Sequence, residues 1–167
     1  MSGDLEKRVK ALEDERDIIA TLNAYGHTID YGLKEEWLDL FTEDGVYHIT
    51  MRGNTLPNVI IPQPAGGLKG RETLKQYIYL HSNAPDAWHK HCLVEPVVKL
   101  ESDTEASAES YFFRLDEVKN ATASALAGWA YVLVFGQYKD KLVKGADGKW
   151  RFKERTIIME NGKTFPR

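Results

Sequence analysis

The order of helical and strand patterns along the chain constrains the fold most strongly. Apolar residues recur at helical spacing from Leu5 to Ile29, and shorter helical patterns run from Lys34 to Phe41 and from Arg71 to about Ala84. A strand pattern, Val46 to Met51, lies between the second and third helices. The later patterns are all strands: His89 to Leu100, Glu105 to Lys119, Ser124 to Val143 and Trp150 to Met159. Helices first and neighbouring strands afterwards are typical of an α+β fold with an antiparallel sheet.

The apolar stripe of the first helix predicts its buried face. Leu5, Val9 and Leu12 begin this stripe, and the residues that continue it are Ile18, Leu22, Tyr25 and Ile29. Charged residues fill the opposite face, and Gly32 is well placed to end the helix. We therefore expect the stripe to face the core.

Composition and charge exclude several classes of protein. The chain has 167 residues, of which 43% are hydrophobic and 28% charged, so we expect a single domain over residues 1–167. Its formal charge of −3 comes from interspersed acids and bases, which predicts no nucleic-acid partner. The single cysteine, Cys92, excludes an internal disulfide and a multi-thiolate metal site. A charged N-terminus and the lack of a long apolar run predict no export signal, no membrane partner and a cytoplasmic location.

The segment from Arg52 to Lys69 combines chain-breaking residues with an apolar centre. Together with Gly70 it holds three prolines and four glycines around Val59-Ile60-Ile61. Such a segment avoids regular structure, while its apolar centre avoids water. We expect a loop that lies over a pocket mouth or over a neighbouring subunit.

Several short sequence words occur here in an order typical of one family. In the helical half they are Asp17-Ile18, Tyr25, Asp30, the run from Trp37 to Tyr47, and Gly70-Arg71-Glu72. In the strand half they are His91, Glu95-Pro96, Gly136-Gln137-Tyr138-Lys139-Asp140 and Gly148-Lys149-Trp150-Arg151-Phe152. With these words, nearly the whole chain resembles the SnoaL-like branch of the nuclear-transport-factor-2-like superfamily, which includes scytalone dehydratase, bile acid dehydratase and dehydrochlorinase-type members.

The resemblance implies a fold and two classes of function. The fold is a cone in which a curved, mainly antiparallel (mixed) sheet wraps around the long N-terminal helix and leaves a pocket between them. The first function is that of a cofactor-independent lyase (dehydratase) or isomerase acting on a small apolar cyclic or polyketide-like ligand. The alternative is a non-catalytic ligand-binding or subunit-assembly module, as in the β-subunits of ring-hydroxylating dioxygenases. A fold alone does not choose between them.

The resemblance also implies a catalytic trio, Tyr25, Asp30 and His91. A histidine titrates near neutrality and suits a general base, and a carboxylate on its other nitrogen fixes the tautomer. A phenol hydrogen-bonds a developing oxyanion or protonates a departing hydroxyl. Two simpler roles stay open at this stage: Tyr25 as a core residue and Asp30 as a helix-end cap.

Other strand residues are candidates for the pocket wall. They are Phe112, Arg114, Trp129 and Tyr131, although strand parity alone does not settle which face inward. Arg114-Leu115-Asp116 also resembles the Arg-x-Asp element of limonene-epoxide-hydrolase-like members. The second aspartate and the Tyr-x-Asn of those enzymes are missing here, so an epoxide hydrolase is less favoured.

The remaining histidines suggest few further sites. His89 shares its strand parity with His91, so a His-x-His metal site is conceivable, but no further ligand is evident and we expect no metal. His48 is expected on a strand surface or pocket rim, and His27 and His81 on helix faces.

The strand from Ala127 to Tyr138 carries apolar side chains on both faces. One face serves the core and the other needs a cover, so we expect a homodimer or a higher symmetric oligomer.

Overall fold

The structure, a computed structural model, describes residues 2–118 and 130–161. Within these residues the chain forms three helices and seven strands. The helices are α1 (Ser2–Asp30), α2 (Lys34–Asp39) and α3 (Arg71–Leu80). The strands are β1 (Phe41–Met51), β2 (Asn54–Thr55), β3 (Leu68–Lys69), β4 (His89–Leu100), β5 (Glu105–Glu117), β6 (Ala130–Lys144) and β7 (Trp150–Met159).

All seven strands belong to one sheet. Its order is β2-β1-β7-β6-β5-β4, and β3 pairs with β1. Strands β4 to β7 form an antiparallel meander, whereas β1 lies parallel to β7. The sheet is curved and does not close on itself. This mixed sheet confirms the predicted α+β cone.

Helix α1 packs across the curved sheet through its C-terminal half. Ile18, Leu22 and Ile29 are all at most 1% exposed. At Gly26 the helix comes so close to β4 that an added Cβ would lie 2.6 Å from the His91 carbonyl oxygen. This close approach needs glycine, because any larger residue would push the end of α1 away from β4. The end of α1 is thereby held beside His91.

The prediction that the whole α1 stripe faces the core is wrong for its first part. Leu5, Val9 and Leu12 are 60%, 45% and 66% exposed. The first deeply buried side chain is Asp14, which accepts hydrogen bonds from Lys144 Nζ at 2.5 Å and Trp150 Nε1 at 3.1 Å. The core contacts of α1 therefore start near Asp14, and the apolar residues before it have no cover among the described residues.

Several predicted boundaries shift in the structure. Helix α2 ends at Asp39 and β1 begins at Phe41, because Phe41 pairs with Phe152 of β7 before a register shift at Val46. Helix α3 ends at Leu80, since His81 is already extended. The predicted strand start at Ser124 and the prediction for Trp129 lie outside the described residues. None of the described helices is both long enough and apolar enough to cross a membrane.

The outer face of the meander carries exposed apolar side chains. Val97, Tyr111, Val132 and Phe135 are 69%, 55%, 50% and 48% exposed. Phe112 and Val134 line the inside of the cone, so their strand neighbours Tyr111 and Phe135 point outward. Val97 shares the outer face because it pairs with Glu109 on β5, and Val132 shares it because a register shift lets it pair with Leu115. Several large apolar side chains exposed on one face of a sheet favour an interface.

We predict a homodimer or higher symmetric oligomer assembled through this face. Light scattering on the purified protein at micromolar concentration should give at least twice the chain mass. Tyr111→Lys should shift the protein towards the monomer because it places a charge in the interface, while Lys75→Gln, at an exposed position of α3, should not. A wild-type protein that stays monomeric would contradict this prediction.

Candidate active site

The end of α1 and the start of β4 bring Asp30 and His91 together. The ring Nδ1 of His91 lies 2.5 Å from Asp30 Oδ1, and the His91 backbone N–H donates to Oδ2 at 2.9 Å. Asp30 is 3% exposed. Two hydrogen bonds from one residue therefore hold the carboxylate in a fixed orientation against the imidazole.

The charge of Asp30 determines the tautomer of His91. Burial alone would raise the pKa of Asp30, but the hydrogen bonds from the His91 ring and backbone outweigh burial and hold that pKa below its usual value. An ionised carboxylate only accepts hydrogen bonds, so Nδ1 of His91 carries the proton. The lone pair then lies on Nε2, which has no hydrogen-bond partner in the part of the chain that the structure describes. This geometry suits a general base.

Three buried tyrosines form a hydrogen-bonded chain beside this pair. The hydroxyls of Tyr25 and Tyr47 are 2.6 Å apart, and those of Tyr47 and Tyr77 are 3.3 Å apart. The Tyr25 ring meets the His91 ring edge-on at 6.0 Å between centroids. Burial raises the pKa of Tyr25 to about 12, although the nearby Arg155 charge opposes this, and burial also raises the pKa values of the other two. All three phenols are therefore protonated donors at neutral pH.

Sequence reasoning missed Tyr47 and Tyr77 as site residues. Tyr47 lies within the predicted strand from Val46 to Met51 and Tyr77 within the predicted third helix, and both side chains are buried. Inside this cone, however, a buried side chain can also face the cavity. The alternation of Tyr47 with outward-facing neighbours on β1 was the available signal for its inward direction.

Tyr25 and His91 line a cavity of about 340 Å³, and Asp30 bonds His91 from outside its lining. Its apolar wall consists of Ile49, Val59, Ile60, Leu80, Phe112, Val134, Ile157 and Met159. Its polar groups come from Tyr25, Tyr47, Tyr77, His81, Ser82, His91, Arg114 and Tyr138. This volume and mixture suit a small, largely apolar molecule that a few polar groups orient.

Two of the predicted wall residues line this cavity and one lies apart from it. Phe112 and Arg114 are part of the wall. Tyr131 pairs with Asp116 across β5 and β6, so it shares the inner face, but it is 46% exposed and is not among the lining residues described. Tyr131 lies at the N-terminal end of β6, the second residue of that strand.

Arg114 and Asp116 form a closely matched ion pair. Nε and Nη2 of Arg114 donate to the two carboxylate oxygens of Asp116, each at 2.7 Å. The two side chains are 20% and 18% exposed. Because each charge is matched by the other, neither group is free for water activation in this arrangement.

The prediction that His81 lies on a helix face is wrong. It follows the end of α3, is 7% exposed and lines the cavity. Burial, helped by neighbouring positive charge, lowers the pKa of His81 to about 3 and that of His89 to about 4. Both imidazoles are therefore neutral at pH 7. His27 lies exposed on α1, and His48 pairs with Thr55 Oγ1 at 3.0 Å.

The structure also supplies a third polar group to the predicted His-x-His pair. One ligand atom from each of Asp30, His89 and His91 lies within 4.8 Å of the others. The sequence showed no such third group because Asp30 is far from β4 along the chain. Among the described residues, this is the cluster with the composition of a metal site.

Comparison with known proteins identifies the family of the chain. Residues 10–156 match the family described as the SnoaL-like domain. The chain belongs to this family. The SnoaL-like resemblance inferred from its sequence words is thus confirmed. No curated protein sequence matches the chain.

Solved structures similar to this SnoaL-like protein share its fold across nearly the whole length. An NTF2-like protein with a cystatin-like fold from Novosphingobium aromaticivorans has a TM-score of 0.76 and 20% identity, covering 97% of this chain and 92% of its own. The β subunit of a proposed aromatic-ring-hydroxylating dioxygenase from that organism has a TM-score of 0.71 and 21% identity, covering 92% and 93%. A proposed scytalone dehydratase, also from that organism, has a TM-score of 0.69 and 21% identity, covering 96% and 93%. At these identities the likeness shows the fold alone.

Proposed function

We propose that this SnoaL-like protein is a lyase of the dehydratase type, or an isomerase, that acts by general acid–base catalysis in the cavity of the cone. The observation that carries the proposal is the Asp30–His91 hydrogen bond, which leaves Nε2 of His91 available as a base. Tyr25 and Tyr47 lie beside it as protonated phenols. These groups need no cofactor for proton transfer.

In a dehydration, Nε2 of His91 takes the proton from the carbon beside a substrate carbonyl. The electrons of the broken C–H bond form the new double bond, and the C–O bond to the hydroxyl group breaks. The hydroxyl leaves as water with a proton from a tyrosine of the hydrogen-bonded chain, and the imidazolium proton later restores that tyrosine. Asp30 stabilises the imidazolium while it exists. An isomerisation would return the same proton to a different carbon.

The tyrosines also favour this chemistry by binding a developing negative charge. In the chain of Tyr25, Tyr47 and Tyr77, internal bonding uses only part of the donor and acceptor capacity of the three hydroxyls. A carbonyl oxygen that gains charge as the proton leaves would accept a hydrogen bond from this chain. Such a preorganised donor in a protein cavity lowers the barrier more than a hydrogen bond from water would.

The wall of the cavity supports a substrate that is small, mainly apolar and cyclic. A volume of about 340 Å³ accommodates a molecule of one or two rings. The apolar residues would cover its hydrocarbon surface, while the polar groups cluster around His91 and the tyrosines. A polyketide-like β-hydroxy ketone has this distribution of polarity.

A direct test is to incubate the protein with a panel of one- and two-ring β-hydroxy ketones. Formation of the conjugated enone is followed by its ultraviolet absorbance, and isomerised products by mass spectrometry and NMR. We expect turnover of at least one member by the wild type, and none above background by His91→Ala. His48→Asn is the matched control, because His48 lies on the same sheet without lining the cavity. Equal rates in wild type and His91→Ala would contradict the proposal.

A further prediction concerns the segment from Arg52 to Lys69. Val59 and Ile60 line the cavity, whereas the side chain of Gln63 bonds the backbone of Ile49 and Leu56 and anchors the segment. Replacing residues 57–61 by glycine and serine, with Gln63 retained, should leave the fold intact. It should raise KM about tenfold or more, because the substrate loses apolar contact area equivalent to about one buried side chain.

Kinetics on the substrate found in the panel check this prediction, with Asn58→Ser as the control. An unchanged KM would show that the segment does not contribute to the pocket. A variant that unfolds would show that the segment belongs to the core, so that its covering role is wrong.

The exposed outer face of the sheet favours one second candidate, a ligand-binding or subunit-assembly module. Val97, Tyr111 and Phe135 would then contact another protein. Tight ligand binding without turnover, or co-assembly with a larger catalytic subunit, would support this role. An epoxide hydrolase is less supported, because Arg114 and Asp116 neutralise each other.

A further inference from the structure

His89 has an unusual environment for a buried histidine. Its side chain is fully buried, and neither ring nitrogen makes a hydrogen bond with a described residue. His89 Nε2 lies 3.5 Å from Asp30 Oδ1 but without hydrogen-bond geometry. Burying a polar group without a hydrogen-bond partner is costly, so native proteins rarely contain such groups unless a ligand or water completes the site.

A second buried ring nearby shows the same feature. His81 Nδ1 is buried and has no hydrogen-bond partner among the described residues. The His81 ring centroid lies 5.5 Å from that of His89 and 6.0 Å from that of His91. Three imidazoles and one carboxylate thus surround one small volume, with several lone pairs available for a ligand.

We propose that Asp30, His89 and His91 bind a divalent transition-metal cation, of which Zn²⁺ is the representative. Two histidine nitrogens and one carboxylate oxygen form the ligand set of many three-ligand zinc sites, which keep further positions for water. This inference goes beyond the proposed function and does not depend on it.

The three ligand atoms all lie within 4.8 Å of one another and would adjust to the spacing that a bound cation requires. Ligands about 2.0 Å from a tetrahedral Zn²⁺ are roughly 3.3 Å apart. His89 Nε2 and Asp30 Oδ1, at 3.5 Å, already have this spacing. His91 Nδ1 and Asp30 Oδ1, at 2.5 Å, would move apart as the cation replaces the proton between them.

The surrounding charge also permits a cation. Arg114 lies opposite His91 on β5, but its charge is matched by Asp116 through two hydrogen bonds. The negative charge that would attract the cation therefore comes from the carboxylate of Asp30. Zn²⁺ would occupy the Asp30–His91 pair and so block acid–base catalysis, which makes the two uses of the pair mutually exclusive.

The test measures Zn²⁺ binding to the untagged, EDTA-treated and buffer-exchanged protein by isothermal titration calorimetry. We expect one Zn²⁺ per chain with a dissociation constant in the micromolar range or tighter. His89→Asn should weaken binding at least about tenfold while leaving the Asp30–His91 bond in place. His48→Asn should bind as the wild type does.

A measurement on the wild type keeps the proposal testable if His89→Asn does not fold. Zn²⁺ should shift the imidazole nitrogen NMR signals of His89 and His91, and leave those of His27 and His48 unchanged. Lack of stoichiometric binding would overturn the proposal, as would binding that leaves the His89 and His91 signals unchanged. Water would then be the partner of these rings.

Discussion

Replacing Arg155 with methionine should destabilise the protein by about 3–5 kcal/mol, because it leaves a buried carboxylate unpaired. Arg155 is 0% exposed, its Nε lies 3.0 Å from Asp140 Oδ1, and its Nη2 donates to Oδ2 at 3.1 Å. The guanidinium carbon also lies 4.1 Å, 4.2 Å and 4.3 Å from the ring centroids of Tyr25, Tyr138 and Phe152. Denaturant unfolding at pH 7 measures the loss.

The effect should depend on pH in a defined direction. In the wild type, burial raises the pKa of Asp140 to about 6 even though Arg155 opposes it. In Arg155→Met no positive charge opposes the effect of burial. The buried carboxylate can then lose its unpaired charge only by binding a proton in the folded state. Its folded pKa is then well above its unfolded value, so stability is regained as pH falls and lost as pH rises. The deficit relative to wild type should therefore be smaller at pH 5 than at pH 8.

Two further variants check the interpretation of Arg155. Lys141→Met removes a charge from the exposed Lys141–Glu154 pair nearby and should cost at most about 1 kcal/mol. The double variant Arg155→Met/Asp140→Leu removes both buried charges and should recover part of the loss. If Arg155→Met lowered the free energy of unfolding no more than Lys141→Met does, the buried Arg155–Asp140 pair would not be important for the stability of the core.

His91→Ala should lower the rate of the proposed reaction by about 10²- to 10⁴-fold, provided that proton transfer limits turnover. Asp30→Asn should cause a loss of similar order, since a neutral amide does not stabilise the imidazolium. Tyr25→Phe should lower kcat more than it raises KM, because its hydrogen bond strengthens only as charge develops on the substrate.

These variants should remain folded, which separates a chemical effect from a structural one. In His91→Ala the backbone N–H of residue 91 still donates to Asp30 Oδ2, so the carboxylate keeps a partner. Circular dichroism and the thermal midpoint check the fold, and His48→Asn controls for loss of a strand histidine. A folded His91→Ala protein with full activity would exclude His91 as the base.

Local patterns predicted the sheet well and the site less well. The bounds of β4 and β7 were predicted without error, since turn residues flank both runs of strand-forming residues. Asp30 and His91 are 61 positions apart, and only the family resemblance indicated that they meet. The exposed Leu5, Val9 and Leu12 show that an apolar stripe does not reveal whether the same chain covers it.

The role of Arg155 could not be read from strand alternation. Side chains alternate between the two faces of a regular strand. If this alternation continued without interruption from the buried Phe152, Glu154 would face inward and Arg155 outward. The pairing of β6 with β7 shifts between Lys141 and Leu142, so that Lys153 is skipped and Arg155 faces the core. Irregularities of this kind depend on two strands together and leave no mark in one sequence. His81 was likewise missed because its position depends on where α3 ends.

The central claim, that His91 Nε2 removes a proton from a bound substrate, is tested most directly by isotope exchange. The wild type is mixed in D₂O with a cyclic ketone that lacks the leaving hydroxyl, and NMR follows loss of the proton beside the carbonyl. The account predicts enzyme-dependent exchange in wild type and in His48→Asn, reduced about 10²-fold or more in His91→Ala. Exchange at the same rate in His91→Ala, or a ketone shown by NMR to bind in the cavity without any exchange, would contradict it.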